Sequence, residues 1–160
     1  MSKSWLNADE FDRWVEAYDR YELKYIDIKL PQNIDTIYVS TQNRALRSVL
    51  YITEKFQRSE LLVEVRPESF IKTQIKLPKI VWLIISRILW YFNLSKGENR
   101  ADTIQRAEAF IERVDLEQNS LIITHGFFMK VLVQRLRLRG YKGKIDRRAT
   151  NGKLYHLNLH

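Results

Sequence analysis

The stretch Ser120-Leu121-Ile122-Ile123-Thr124-His125-Gly126-Phe127-Phe128-Met129-Lys130 constrains the fold more than any other. A short apolar run ends abruptly in Thr-His-Gly, and a helical pattern starts at once. That is the reading of a buried strand running directly into a helix N-terminus, the junction on which α/β proteins are built. An imidazole, a permissive glycine and a new set of unpaired helix N–H groups meet there. Together they predict a seat for an anion, phosphate first.

The rest of the chain repeats the alternation. Asn7 reads as the N-cap of a first helix, with Glu10 at the capping-box position and Phe11, Trp14, Val15 and Tyr18 along one face. Residues 25–31 read as an irregular connector. The β-branched run at 36–40 predicts a strand, followed by a helix over 43–56. A short strand is expected over 61–65, stopped near Pro67. Pro78 begins an apolar helix, and Gly97 separates it from a helix over 100–114. After the 121–124 strand come a helix over 127–138, a basic loop and a last strand around 153–159. This order implies a three-layer α/β/α fold with a mostly parallel sheet covered on both faces. With 160 residues and no repeat or linker, one domain is expected over 1–160.

Composition removes several classes of function. There is no cysteine, which excludes disulfides, thiol catalysis and cysteine-bound metal. Residues 1–7 hold no apolar signal core, so a cytoplasmic protein is expected. The apolar segment 80–94 falls short of the roughly 17–25 residues of a membrane span and is interrupted by Arg87, so a buried or groove-covering helix is predicted and no membrane partner. The net charge of +8 is concentrated in residues 130–148, where eight lysines and arginines face only Asp146. That run has two readings. It could form a binding module for nucleic acid or an acidic partner, or a solvated face that draws anionic substrates inward. Aromatic interleaving of the kind used on single strands is absent apart from Tyr141, so nucleic acid is the lesser expectation.

Two strand-to-helix junctions look alike. Ser40-Thr41-Gln42-Asn43-Arg44 enters its helix with an arginine in the first turn, and Thr124-His125-Gly126 does the same with a histidine. In a parallel sheet both lie at the carboxyl ends of strands, where ligands of open α/β folds collect. A guanidinium can hold two phosphate oxygens at once. Glu64 is predicted at the end of a third strand, on the same rim, where it could donate a proton. The plainer readings are a surface arginine, a hydrogen-bonded junction histidine and a solvent-facing glutamate. His156 and His160 have no identifiable partner and read as structural.

These residues resemble the histidine phosphatase superfamily, the phosphoglycerate mutase-like proteins. The Ser40–Ala45 segment resembles the family's Ser-Ser/Asp-x-x-Arg-Ala motif, with Thr41 in its second place, Thr124-His125-Gly126 its late Ser/Thr-His-Gly, and Leu62-Val63-Glu64 its strand-end acid. Likenesses to bacterial members extend from Trp5 to the C-terminus. The resemblance implies phosphomonoester chemistry without cofactor or metal. His125 and Arg44 would bind the phosphoryl group and Glu64 would protonate the leaving oxygen. It also implies a helical cap insertion at about 67–99 and leaves mutase and phosphatase both open, the lack of an extended mutase-type insertion favouring the phosphatase. The expected ligand is a phosphorylated small molecule or phosphate. The family's nucleophile lies in an Arg-His-Gly motif after its first strand, and this sequence contains no Arg-His-Gly. The resemblance therefore implies a chain without its phospho-acceptor histidine and first strand, inactive or truncated, with the exposed sheet edge a possible route to a homodimer.

Overall fold

A computed structural model describes residues 4–18, 20 and 27–159. It divides into two compact units, Met1–Tyr21 with Val65–Thr103 and Glu22–Glu64 with Ile104–His160. Residues 25 and 26 of the expected connector, and His160, lie outside the described residues.

The first unit is built on short strands and aromatic packing. Strand β1 (Trp5–Leu6) lies antiparallel to a two-residue strand at Leu77–Pro78, and α1 (Ala8–Tyr18) follows β1. The predicted capping box forms. Asn7 Oδ1 accepts the Glu10 N–H at 2.9 Å, and Glu10 Oε2 accepts the Asn7 N–H at 3.1 Å. Phe11, Leu6, Ala8 and Trp82 form the core, with the Trp82 ring 5.5 Å from Phe11 and its indole N–H bonded to Leu6 O at 2.8 Å. Asp12 accepts both the N–H and the hydroxyl of Ser69.

The second unit carries the parallel sheet. Its centre is β2 (Thr36–Ser40), flanked on one side by β3 (Gln57–Ser59). After β3 the chain passes through the strand at Leu77–Pro78, here β4, before β5 (Ser120–Ile123) returns to the other side of β2. The order β3-β2-β5 is parallel throughout, as an alternating α/β pattern requires. Side-chain alternation along β2 then assigns the layers. Val39 and Ile37 pack with Ala45 and Val49 of α2 (Asn43–Leu50), whereas Tyr38 meets Phe110 of the later helix Arg100–Arg113 edge-on at 5.6 Å. The chain is an α/β protein with helices on both faces of its sheet. The basic loop ends in a small antiparallel pair, β6 (Tyr141–Lys142) with β7 (Asn158–Leu159).

Four expectations change. The strand expected at 61–65 lies instead at 57–59. Ser59 Oγ accepts the Leu61 N–H and starts a 3-10 turn over Glu60–Leu62. The carbonyls of Leu61, Leu62 and Val63 then go to side chains rather than to a neighbouring strand. Helix α2 stops at Leu50 rather than Phe56, and the Val49 carbonyl in its last turn accepts the N–H groups of Ile52 and Thr53. The terminal strand shrinks to β7. The apolar helix α3 (Lys79–Tyr91) buries only one face: Trp82, Ser86 and Trp90 point inward, while Ile80, Ile84 and Ile88, two residues out of phase, are exposed. It ends in a Schellman motif, with Asn93 at φ 58° and the Leu94 N–H bonded to Leu89 O at 2.8 Å. Among the described residues no helix is long and apolar enough to cross a membrane.

Candidate functional site

The parallel pairing of β2 with β5 matches Val39 with Ile123, so the two strands end at one level and deliver Ser40 and His125 to the same rim. Ser40 is fully buried, and its Oγ lies 2.9 Å from His125 Nε2. The same Oγ accepts the Gln42 N–H at 3.3 Å. A hydroxyl can donate and accept at once, so Ser40 orients the half-buried imidazole in either tautomer. Four residues past Ser40, Arg44 occupies the second position of α2. Its side chain is half-buried.

Glu64 is held differently from expectation. It follows the 3-10 turn rather than ending a strand, and its carboxylate caps the last long helix, α5 (Gly126–Leu138). Glu64 Oε2 accepts the Phe127 N–H at 3.1 Å, and Oε1 accepts the Phe128 N–H at 2.9 Å. Two of the N–H groups that the sequence offered to an external anion are therefore occupied by an internal one. The physical reason is the same in both cases, since a carboxylate complements the positive end of the helix as a phosphate would.

A frame of side chains fixes this carboxylate. Gln42 Oε1 accepts the Glu64 N–H at 3.0 Å, which ties the α2 junction to the acid. On helix α4 (Arg100–Arg113), Arg106 donates to the carbonyls of Leu61 at 2.9 Å and Val63 at 2.7 Å. Its guanidinium also lies 4.2 Å over the ring of Phe128, whose N–H holds Glu64. The Thr124 hydroxyl donates to Leu62 O at 2.6 Å, closing the turn against the end of β5. At Gly126 a Cβ would sit 2.9 Å from the Ala149 side chain, so close packing favours glycine in Thr-His-Gly.

The structure thus joins His125 to Ser40 and Glu64 to the α5 N-terminus, and places Arg44 in the first turn of the helix leaving Ser40. Sequence reasoning missed Ser40, Gln42, Thr124 and Arg106 as working residues. Ser40, Gln42 and Thr124 stand inside the motifs already singled out, so their position was a usable signal. Arg106 had none, because one arginine in a polar helix resembles any other. His156 is exposed.

The basic segment is partly spent within the chain. Arg135 and Arg139 of α5 and its C-cap both pair with Glu108 of α4, the second at 2.6 Å. Their guanidiniums, Arg135 first, hold the Glu108 carboxyl below its ordinary value, against a smaller opposing effect of burial. Arg137 donates to Gly143 O at 2.7 Å, and Lys153 pairs with Asp146. The described residues contain no cluster of three groups able to hold a metal ion.

The family model of the histidine phosphatase superfamily (branch 1) matches residues 28–160. No curated protein and no solved structure matches the chain.

Proposed function

The chain belongs to the histidine phosphatase superfamily, and we propose that it binds the phosphoryl group of a phosphorylated small molecule at the rim where β2 and β5 end. The observation that carries this reading is the Ser40–His125 contact, which sets an oriented imidazole beside the junction that supplies Arg44. In this reading Arg44 grips two phosphoryl oxygens with its planar fork, and His125 bonds a third. Glu64 serves the leaving oxygen, a role in which its carboxyl would release one of its two N–H partners. Side chains rather than the α5 N-terminus carry most of the contact with the phosphate.

Turnover is a separate matter. The chain holds no Arg-His-Gly, and Ser40, the hydroxyl nearest the imidazole, is fully buried. General acid–base assistance contributes about 10²–10⁴-fold and does not replace a covalent nucleophile. Binding with little or no hydrolysis by this chain is the proposed outcome. The pairing of Arg135 and Arg139 with Glu108 weighs for the phosphate rim over the basic segment as the primary binding site.

Titration with inorganic phosphate, followed through the His125 ring resonances, tests the reading. Saturable shifts are expected, and Arg44→Ala or His125→Ala should weaken binding by about 10–100-fold, the worth of hydrogen bonds to a charged group. Unchanged affinity in Arg44→Ala, read on backbone resonances, would remove the proposed site. Robust aryl phosphate turnover abolished by His125→Ala would replace binding with catalysis as the function.

A further inference from the structure

The loop between β6 and β7 meets the rim at Gly126. On the phosphate reading of that rim, we infer that Arg147 and Arg148 hold a second phosphate of the same ligand, so that the substrate class is a compound with two or more phosphates close together. The contact behind this is Ala149, whose side chain would lie 2.9 Å from a Cβ on Gly126. Ala149 follows Arg148 directly, and Gly126 follows His125. Two peptide steps and that contact hold the Arg148 Cα within roughly 14 Å of the His125 Cα. Two long side chains with a ligand between them fill such a gap. The loop is also fastened. Its base is the pairing of β6 with β7, and at Gly143 a Cβ would collide with the His156 carbonyl oxygen. Asp146 Oδ2 accepts from Lys153 Nζ at 2.6 Å and from the Tyr155 hydroxyl at 3.0 Å. The Lys153 N–H donates to Thr150 O at 3.2 Å, closing the turn beyond Ala149. An arginine pair carried on a segment held in this way loses less conformational freedom when it binds.

Charge identifies the ligand group. Residues 118–160 contain one acid, Asp146, and the loop already engages it through Lys153 and Tyr155. The carboxylates that meet α5 are engaged as well, Glu64 by the Phe127 and Phe128 N–H groups and Glu108 by Arg135 and Arg139. Arg147 and Arg148 are exposed and, among the described residues, take part in no hydrogen bond or ion pair. Two neighbouring cations without a counter-charge attract an anion, and the guanidinium fork matches the oxygens of a phosphate. The patch is two arginines wide, and no aromatic side chain stands within residues 142–154 to stack a base. Those features fit a compact cluster of phosphates better than a nucleic-acid strand. Arg44 and His125 then take the phosphoryl group at the rim, and the arginine pair selects ligands that carry another.

Titration of the full chain with inorganic phosphate and with tripolyphosphate, followed through the backbone and His125 ring resonances, tests the inference. Tripolyphosphate should bind at least about tenfold more tightly than phosphate, and should shift Arg147 and Arg148 together with His125. Arg147→Gln combined with Arg148→Gln should bring the two affinities within about threefold of each other. Phosphate should still bind that variant, which also verifies that it is folded. Arg44→Ala should weaken both ligands. Equal affinities in the parent chain, or a preference that the double variant retains, would overturn the inference and leave the phosphate rim standing. Tripolyphosphate binding untouched by Arg44→Ala and by His125→Ala would overturn it too, by making the loop a polyanion site of its own. Failure of phosphate itself to bind would remove the rim, and this subsite with it.

Discussion

The two strand-to-helix junctions of the rim are nearly interchangeable on paper and distinct in space. At the β5–α5 junction, the Glu64 carboxylate fills the helix N-terminus from within, taking the N–H groups of Phe127 and Phe128. At the β2–α2 junction, Gln42 occupies the N-cap position, yet its side chain makes no capping bond and turns instead to the Glu64 N–H. One junction is thus closed by the protein's own anion, and the other is the source of a guanidinium. The comparison teaches that a helix N-terminus is an anion seat only after its internal competitors are counted. It also separates the proposed roles: Glu64 is bonded to the α5 N-terminus before it can serve a leaving oxygen, and Arg44 and His125 are the proposed phosphate ligands.

Replacing Glu64 by Gln is the largest test of that division. An amide can offer its oxygen to one of the two N–H groups but must turn an NH₂ toward the other. Chemical denaturation should show a loss of about 1–3 kcal/mol, the cost of a donor left unmatched. Arg44→Ala, which leaves no buried donor unmatched at a helix N-terminus, should cost less than that. Equal losses in the two variants would erase the distinction between the junctions.

Ser40→Ala probes the contact that holds the imidazole. Removing the hydroxyl should cost about 0.5–1.5 kcal/mol of stability and, by freeing the ring, weaken phosphate binding several-fold. Full affinity with the stability loss would make Ser40 a core residue with no part in ligand binding.

The smallest effect belongs to the Glu108 cluster. Its carboxyl is held below the ordinary value of 4.5, chiefly by the bond from Arg135. A depressed carboxyl contributes stability that is fully present above its unfolded value and is lost as pH falls through the folded one. Glu108→Gln should therefore lower stability at neutral pH by at most about 1 kcal/mol and flatten the acid limb of the stability curve. An unchanged acid limb would assign that limb to other carboxylates.

The legibility of the chain follows the range of the interactions involved. The capping box of α1 was readable because Asn7 and Glu10 are three residues apart and satisfy each other. The parallel arrangement of β2 and β5 was readable because each feeds directly into a helix. The strand expected at 61–65 was not, since its carbonyls are claimed by Arg106 and Thr124, some 43–62 residues away. Its short apolar run reflects burial of Leu62 and Val65 beside a turn, and burial without a ladder looks the same in a sequence. The apolar helix α3 was placed correctly along the chain but assigned too much burial. Counting apolar residues does not reveal whether a second surface exists to cover them.

By itself the sequence determined the α/β alternation, the family, and the identity of His125, Arg44 and Glu64 as the residues to watch. Those follow from local periodicity, caps and motif order, which a chain carries wherever it goes. Only the tertiary structure decided that Ser40 orients His125, that Glu64 caps α5, and that Arg106 braces the turn behind it. Each of those depends on which donor reaches an acceptor first across the fold, and hydrogen-bond competition at such distances leaves no periodic mark in the sequence.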